Sequence, residues 1–80
     1  MPSLRRMSGR EVLGALHSLG FEVRSEKGSH VKLRRIGPSG QRQTLTIPNH
    51  SELDTGTLRA IIRQAKQYIS MDDLYRLFYS

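Results

Sequence analysis

The chain has 80 residues, which leaves room for one small domain, residues 1–80, with a single hydrophobic core. Its lack of cysteine excludes disulfide bonds, thiol nucleophiles and cysteine-ligated metal sites, and no apolar run approaches the roughly 18 residues of a membrane span, so we expect a soluble cytoplasmic protein. The net charge of +6 arises entirely before position 48, and such a one-sided positive field is typical of proteins that contact phosphate groups.

The first predicted element is a helix over about residues 9–19. Ser8 followed by Glu11 has the spacing of a capping box, which marks a helix N-terminus. Gly20 suits the position just past a helix, where the backbone turns left-handed. The apolar residues that recur at helical spacing in between are Val12, Leu13, Leu16 and Leu19.

Three short strands are predicted after this helix. Residues 21–24 alternate apolar and polar side chains, which is the period of a half-buried strand, and residues 30–34 alternate in the same way. A third strand covers residues 43–47 and should stop at Pro48, because proline cannot donate a hydrogen bond to a sheet. Segments containing glycine and serine separate the three strands and supply the turns.

Helical spacing returns in the C-terminal part of the chain. An apolar stripe at positions i, i+3, i+4, i+7 and i+11 predicts a long helix. Its members are Leu58, Ile61, Ile62, Ala65 and Ile69. Ser70 with Asp73 then predicts the cap of a short last helix. The order helix, three strands, helix, short helix indicates an α+β fold, in which helices cover one face of a three-stranded antiparallel sheet and leave the other open.

One face of the second strand gathers residues that suit RNA chemistry. The period of two sends His30, Lys32 and Arg34 to the same face. RNA can be cleaved by its own 2′-hydroxyl once a base removes the proton, and a histidine, with an ordinary pKa of about 6.5, can act as that base. Lys32 or Arg34 would stabilise the charge that builds on the phosphoryl oxygens. The alternative is that His30 is only a solvated surface histidine.

Three segments carry a resemblance to a known family. They are Lys27-Gly28-Ser29-His30, Ile47-Pro48-Asn49-His50, and Gly56-Thr57-Leu58-Arg59 followed by Ile61, Ile62, Gln64 and Ala65. Together they resemble the HicA toxins, which are small mRNA interferases of toxin–antitoxin systems. The resemblance covers about residues 8–74. It implies the αβββα fold of double-stranded RNA-binding domains, metal-independent cleavage of RNA with His30 as the essential residue, and a HicB-type antitoxin that masks the active site.

Residues around His30 are the candidates for RNA binding or support. They are Lys27, Gly28, Ser29, Lys32, Arg34 and His50. Gly28 suits a tight turn and also lets a phosphate come close. His50 matches a family position, but a loop histidine that hydrogen-bonds to the backbone is an equal interpretation. Lys66 stands where many relatives have glycine, so we expect the long helix to continue past it.

Several other interpretations stay open at this point. No histidine pair has a recognised metal-ligand spacing, so no metal or other cofactor is expected, and His17 should face solvent. A noncatalytic double-stranded RNA-binding module is the main alternative function, although residues 54–57 lack the lysine cluster that such modules carry there. Arg59 and Arg63 would contact RNA or simply solvate the helix. A module that only docks on another protein is the third alternative.

Overall fold

The computed structural model of the protein describes residues 2–80 and has the element order αβββαα. The elements are α1 (Gly9–His17), β1 (Glu22–Lys27), β2 (His30–Ile36), β3 (Arg42–Pro48), α2 (Thr55–Ala65) and α3 (Met71–Phe78). The strands form one antiparallel sheet in the order β1-β2-β3. This arrangement confirms the predicted α+β fold of the double-stranded RNA-binding type. None of the helices in residues 2–80 has the length and apolar character needed to cross a bilayer.

Local sequence signals set the ends of the helices. The Ser8 hydroxyl accepts a hydrogen bond from the Glu11 N–H at 3.1 Å, and the Glu11 carboxylate accepts one from the Ser8 N–H at 2.9 Å. This is the predicted capping box of α1. The Ser70 side chain likewise accepts from the Asp73 N–H and caps α3, as predicted. These caps supply partners for N–H groups that a helix cannot pair internally.

The C-terminal end of α1 shows why Gly20 follows it. The Phe21 N–H donates to the Leu16 carbonyl at 3.2 Å, and the Gly20 N–H donates to the His17 carbonyl at 2.9 Å. This pair of bonds is the Schellman motif, which requires a left-handed residue. Gly20 has φ 95 and meets that requirement. The turn delivers Phe21, which is completely buried, into the core just before β1.

The hydrophobic core lies between the inner face of the sheet and the helices. Val31, Leu33, Leu45 and Ile47 are almost completely buried, which confirms the faces predicted for β2 and β3. Side chains from all three helices complete this core. The main helical contributions are Val12, Leu16, Leu58, Ile61, Ile62, Ala65, Leu74 and Phe78. Each large apolar side chain buried here contributes about 1.5 to 3 kcal/mol.

The first strand differs from its prediction. All six residues of β1 are exposed, and Val23 is 57% exposed, so this strand is not half-buried. Helices α1 and α2 pack against β3, at the opposite edge of the sheet. The pairing register of β1 also shifts between Val23 and Ser25, which marks a bulge. The alternation predicted for residues 21–24 therefore reflects one buried residue, Phe21, that precedes an exposed edge strand.

The end of α2 also differs from its prediction. The helix ends at Ala65 and does not continue past Lys66. The Tyr68 N–H donates to the Ala65 carbonyl at 2.9 Å in a tight turn, and the Tyr68 carbonyl accepts from the Arg35 guanidinium at 2.7 Å. This tertiary contact ties the turn after α2 to β2. Ile69, predicted as part of the helical stripe, is buried from the turn instead.

Candidate active site

A two-residue hairpin positions His30 at one end of the sheet. Lys27 and His30 pair in register across the turn formed by Gly28 and Ser29. Gly28 has φ 60, and a two-residue hairpin with glycine at its first central position fits a type II′ turn. A Cβ on Gly28 would meet nothing within 4 Å, so its backbone conformation, and not packing, requires glycine there.

The outer face of the β2–β3 pair carries the predicted basic residues. His30 and Lys32 are exposed there, and Arg34 is half-buried. Their register partners on β3 are uncharged: Pro48 lies opposite His30, Thr46 opposite Lys32 and Thr44 opposite Arg34. The Arg34 Nε atom is buried and has no hydrogen-bond partner within residues 2–80. The structure therefore places one imidazole and two cations along one open face, with uncharged partners on β3, whereas on β1 Glu22 is the register partner of Arg34.

His50 lies next to the hairpin, through a contact with Ser29. Its Nε2 atom is 3.1 Å from the Ser29 hydroxyl oxygen. The backbone reinforces this contact, because the Asn49 N–H donates to the Ser29 carbonyl at 2.6 Å and the Gly9 N–H donates to the His50 carbonyl at 2.8 Å. The structure therefore joins two of the predicted supporting residues at the end of β2 where His30 lies.

Gly9 allows α1 to approach the loop that carries His50, a role that no sequence pattern predicted. A Cβ at Gly9 would lie 2.6 Å from the Asn49 Cα and 2.8 Å from the His50 nitrogen. Real side chains do not tolerate such distances to backbone atoms, so residue 9 must be glycine for this packing. A glycine directly after the Ser8 cap was the only signal in the sequence.

A groove of about 470 Å³ opens beside His30, between the sheet and α2. The residues that line it are His30, Thr46, Pro48, Asp54, Gly56, Thr57, Ala60, Ile61 and Gln64. Its wall is fixed by the Gln64 amide, whose oxygen accepts from the Thr46 N–H at 2.9 Å and whose nitrogen donates to the Thr46 carbonyl at 3.2 Å. Gln64 thus pairs with the free edge of β3 as a neighbouring strand would.

Asp54 contributes a negative charge to this groove. It caps α2, and its carboxylate accepts a hydrogen bond from the Thr57 N–H at 2.7 Å. Hydrogen bonds from the side chain and the backbone of Thr57 lower the pKa of Asp54 below its ordinary value. The carboxylate is therefore ionised at neutral pH. The groove has an imidazole on its sheet side and a carboxylate on its helix side.

The other predicted residues lie apart from this site. His17 is exposed on α1, as predicted, and its Nδ1 atom is 3.2 Å from the Phe21 carbonyl oxygen. Arg59 and Arg63 are exposed on α2. Within residues 2–80, no three histidine or carboxylate side chains form a group that could bind a metal ion.

A second groove, of about 490 Å³, lies at the opposite end of β2 and contains none of the predicted site residues. Leu19, Gly20, Arg35, Ile36, Gly37 and Pro38 line it. Its one charged side chain, Arg35, already donates hydrogen bonds to other parts of the fold. The groove beside His30 is therefore the candidate active site.

Comparison with known proteins gives one family match. A family model described as the HicA toxin of bacterial toxin–antitoxin systems matches residues 9–67. That range contains the whole sheet, the hairpin before His30, the His50 loop and all of α2. A search of the curated proteins finds no match. The family match covers most of the chain, and the protein therefore belongs to the HicA family of toxins, which supports a ribonuclease-type role in a toxin–antitoxin system.

Proposed function

We propose that this protein is an endoribonuclease toxin, an mRNA interferase, that cleaves RNA in the cytoplasm through His30 and without a metal ion. The observation that best supports this proposal is the position of His30. It is exposed at the edge of a groove and lies on the same open face as Lys32 and Arg34. A phosphate attracted to the two cations would have the imidazole beside it.

In the proposed reaction, the His30 imidazole accepts the proton of a ribose 2′-hydroxyl. The 2′-oxygen then forms a bond to the adjacent phosphorus, and the bond from phosphorus to the 5′-oxygen of the next nucleotide breaks. The products are a cyclic 2′,3′-phosphate and a 5′-hydroxyl, which takes up a proton. Lys32 and Arg34 stabilise the charge that builds on the phosphoryl oxygens. General base catalysis of this kind contributes about 10² to 10⁴ fold in rate.

The hairpin residues support this step. Ser29 and His50 are positioning residues, because their contact holds the chain that leads directly into His30. Gly28 gives the turn its left-handed residue and leaves space above it, so a phosphate can approach the backbone. Lys27 pairs with His30 across the turn and adds a third positive charge to this end of the sheet.

A HicB-type antitoxin is the proposed partner. The family match implies an antitoxin, and the net charge of +6 favours a partner with an acidic surface. Complementary charge mainly accelerates association and selects the correct partner. In this proposal the antitoxin covers the face with His30, Lys32 and Arg34 and so excludes RNA from it.

The direct test is incubation of the purified protein with RNA in the presence of EDTA. We expect wild type and His17→Ala to cleave RNA, and His30→Ala to lose about 10² fold or more in rate. His17 is a matched control because both histidines are exposed. A DNA strand of the same sequence should stay intact, since it lacks the attacking hydroxyl. The His30→Ala protein should keep the melting temperature of wild type, since truncating an exposed residue leaves no cavity.

Each contrary result has a clear meaning. Cleavage by His30→Ala at the wild-type rate would remove His30 from the mechanism, and cleavage that stops in EDTA would contradict a metal-independent reaction. Intact RNA with reduced mobility in a gel would indicate the noncatalytic RNA-binding module. The rate should also change between about pH 5 and 8, the range in which histidines ordinarily titrate. A flat profile over that range would argue against a histidine base.

A further inference from the structure

We propose that the groove beside His30 is a binding site for one unstacked nucleobase, in which Gly56 leaves the space and Asp54 supplies a polar contact. The inference rests on the proposed cleavage at His30 and adds to it a site that holds the base and so requires that base to be unpaired.

Neither backbone conformation nor packing accounts for Gly56. Its φ is not in the left-handed region, unlike that of Gly20 or Gly28. A Cβ built on Gly56 would meet only the Asp54 Oδ1 atom, at 3.9 Å, which is an ordinary contact distance. Glycine within a helix is less favourable than alanine because it loses more conformational freedom on folding. The side chain that is missing here would occupy space at the groove, which Gly56 lines.

The walls of the groove match the chemistry of a nucleobase. Pro48 and Ala60 present apolar surface, as the flat face of a base requires, whereas Thr46, Thr57 and Asp54 present polar groups, as its edge requires. The volume of about 470 Å³ is within the range of sites that hold small ligands. Pro48 is the register partner of His30, so a base placed against this wall keeps its own ribose close to the imidazole.

The charges of the site orient the nucleotide. The ionised Asp54 carboxylate repels a phosphate from the helix side of the groove, whereas Lys32 and Arg34 attract it to the open face of the sheet. A carboxylate accepts hydrogen bonds from the N–H groups at the edge of a base. The base therefore enters the groove and the phosphate stays outside it. A base held in a duplex stack cannot make this movement, so the site selects unpaired RNA.

The test measures binding separately from cleavage. Short RNA strands with 2′-O-methyl groups lack the attacking hydroxyl, so their affinity can be measured by fluorescence anisotropy without reaction. We expect Gly56→Leu, which fills the groove, to weaken single-strand binding by about tenfold, towards the low end of the effect of one base-stacking contact, because Pro48 and Ala60 are apolar but not aromatic. Binding of the same sequence as a duplex should be unchanged. Gly14→Leu is the matched control, because Gly14 lies exposed in α1 and a Cβ there meets nothing within 4 Å.

Two further variants distinguish a loss of RNA binding from a loss of folding. Gly56→Ala should raise the melting temperature above that of wild type and still weaken single-strand binding, a combination that a structural role for Gly56 would not produce. Asp54→Asn keeps a residue that caps helices equally well. It should change the relative affinity for strands that differ only between adenine and uracil at one position, whereas an unchanged ratio would remove Asp54 from the site.

The outcomes distinguish this inference from the proposed function. If wild type cleaves RNA and Gly56→Leu binds and cleaves single strands as wild type does, the nucleobase site is wrong and the nuclease proposal stands. If wild type does not cleave RNA, the proposed function is wrong. A selective loss of single-strand binding in Gly56→Leu would then still support the base site, and equal binding would overturn it.

Discussion

The guanidinium carbon of Arg35 lies 4.6 Å from the centre of the Phe21 ring. The same guanidinium donates hydrogen bonds to the Gln43 side-chain oxygen at 2.6 Å, the Leu19 carbonyl at 2.8 Å and the Tyr68 carbonyl at 2.7 Å. Gln43 is itself buried, with 4% exposure. One side chain thus joins two strands to the turn after α1 and to the turn after α2.

Replacing Arg35 by methionine should therefore destabilise the protein strongly. The change leaves Gln43 and two backbone carbonyls without their charged donor, and each such bond contributes about 1.5 to 3 kcal/mol. We expect the free energy of unfolding in urea to fall by about 3 kcal/mol or more. Arg24→Met on the exposed strand β1 is the control and should change it by less than about 0.5 kcal/mol. Equal effects of the two substitutions would contradict a structural role for Arg35.

Leu33 and Val23 test how unevenly the helices cover the inner face of the sheet. They are register partners, yet Leu33 is fully buried and Val23 is mostly exposed. Leu33→Ala should lower the free energy of unfolding by about 2 to 5 kcal/mol because it opens a cavity in the core. Val23→Ala should change it by about 0.5 kcal/mol or less. A large loss of stability in Val23→Ala would show that β1 is covered and not exposed.

Two glycines of α1 should respond to alanine in opposite directions. Gly14→Ala should raise the free energy of unfolding by about 0.5 to 1 kcal/mol, because alanine favours the helix and a Cβ there is unobstructed. Gly9→Ala should lower it by about 1 to 3 kcal/mol, because the new Cβ displaces Asn49 and His50. If His50 supports cleavage, Gly9→Ala should also reduce the rate of RNA cleavage while Gly14→Ala leaves it intact. Thermal unfolding and the RNA assay measure both effects.

Acid should destabilise the protein through its helix caps. Hydrogen bonds from the Ser8 backbone and side chain lower the pKa of Glu11 below its ordinary value of 4.5, and those from Thr57 lower the pKa of Asp54 below 3.8. A carboxyl whose pKa is lower in the folded state than in the unfolded state stabilises the folded state at pH values above its unfolded-state pKa. This contribution is lost as the pH falls through its folded-state pKa. Stability should therefore decline as the pH drops below 4.5.

The comparison that isolates one carboxyl is Glu11→Gln. Glutamine also completes a capping box, so the variant keeps the cap and removes the titrating group. Its stability, measured by urea unfolding at a series of acidic pH values, should fall less steeply than that of wild type. Parallel curves for the two proteins would show that Glu11 does not contribute to the acid sensitivity.

Local patterns predicted most of the elements but missed contacts between distant residues. The caps at Ser8 and Ser70 and the inward side chains of β2 depend on residues a few positions apart, so the sequence displays them directly. Arg35 has the same parity as the buried Val31 and Leu33, but its charge conceals its inward position. Its acceptors lie up to 33 residues away in sequence, beyond the reach of any periodicity.

The candidate site was likewise predictable only in part. The alternation of β2 was sufficient to predict that His30, Lys32 and Arg34 share an open face. The groove beside them was not predictable, since its walls come from distant parts of the chain, as the pairing of Gln64 with Thr46, 18 residues earlier, illustrates. Gln64 and Gly56 both occurred in the segments that resemble the family, but those segments did not indicate that the two residues line one cavity.

The pairing of Gln64 with Thr46 also affects how molecules of this protein meet one another. A sheet with two bare edges is a template on which other chains can add strands and grow into fibrils. At one edge the Gln64 amide already occupies backbone groups that an incoming strand would need. The other edge, β1, alternates acidic and basic residues and is interrupted by a bulge. Both edges therefore carry features that oppose the addition of strands from other copies of the chain.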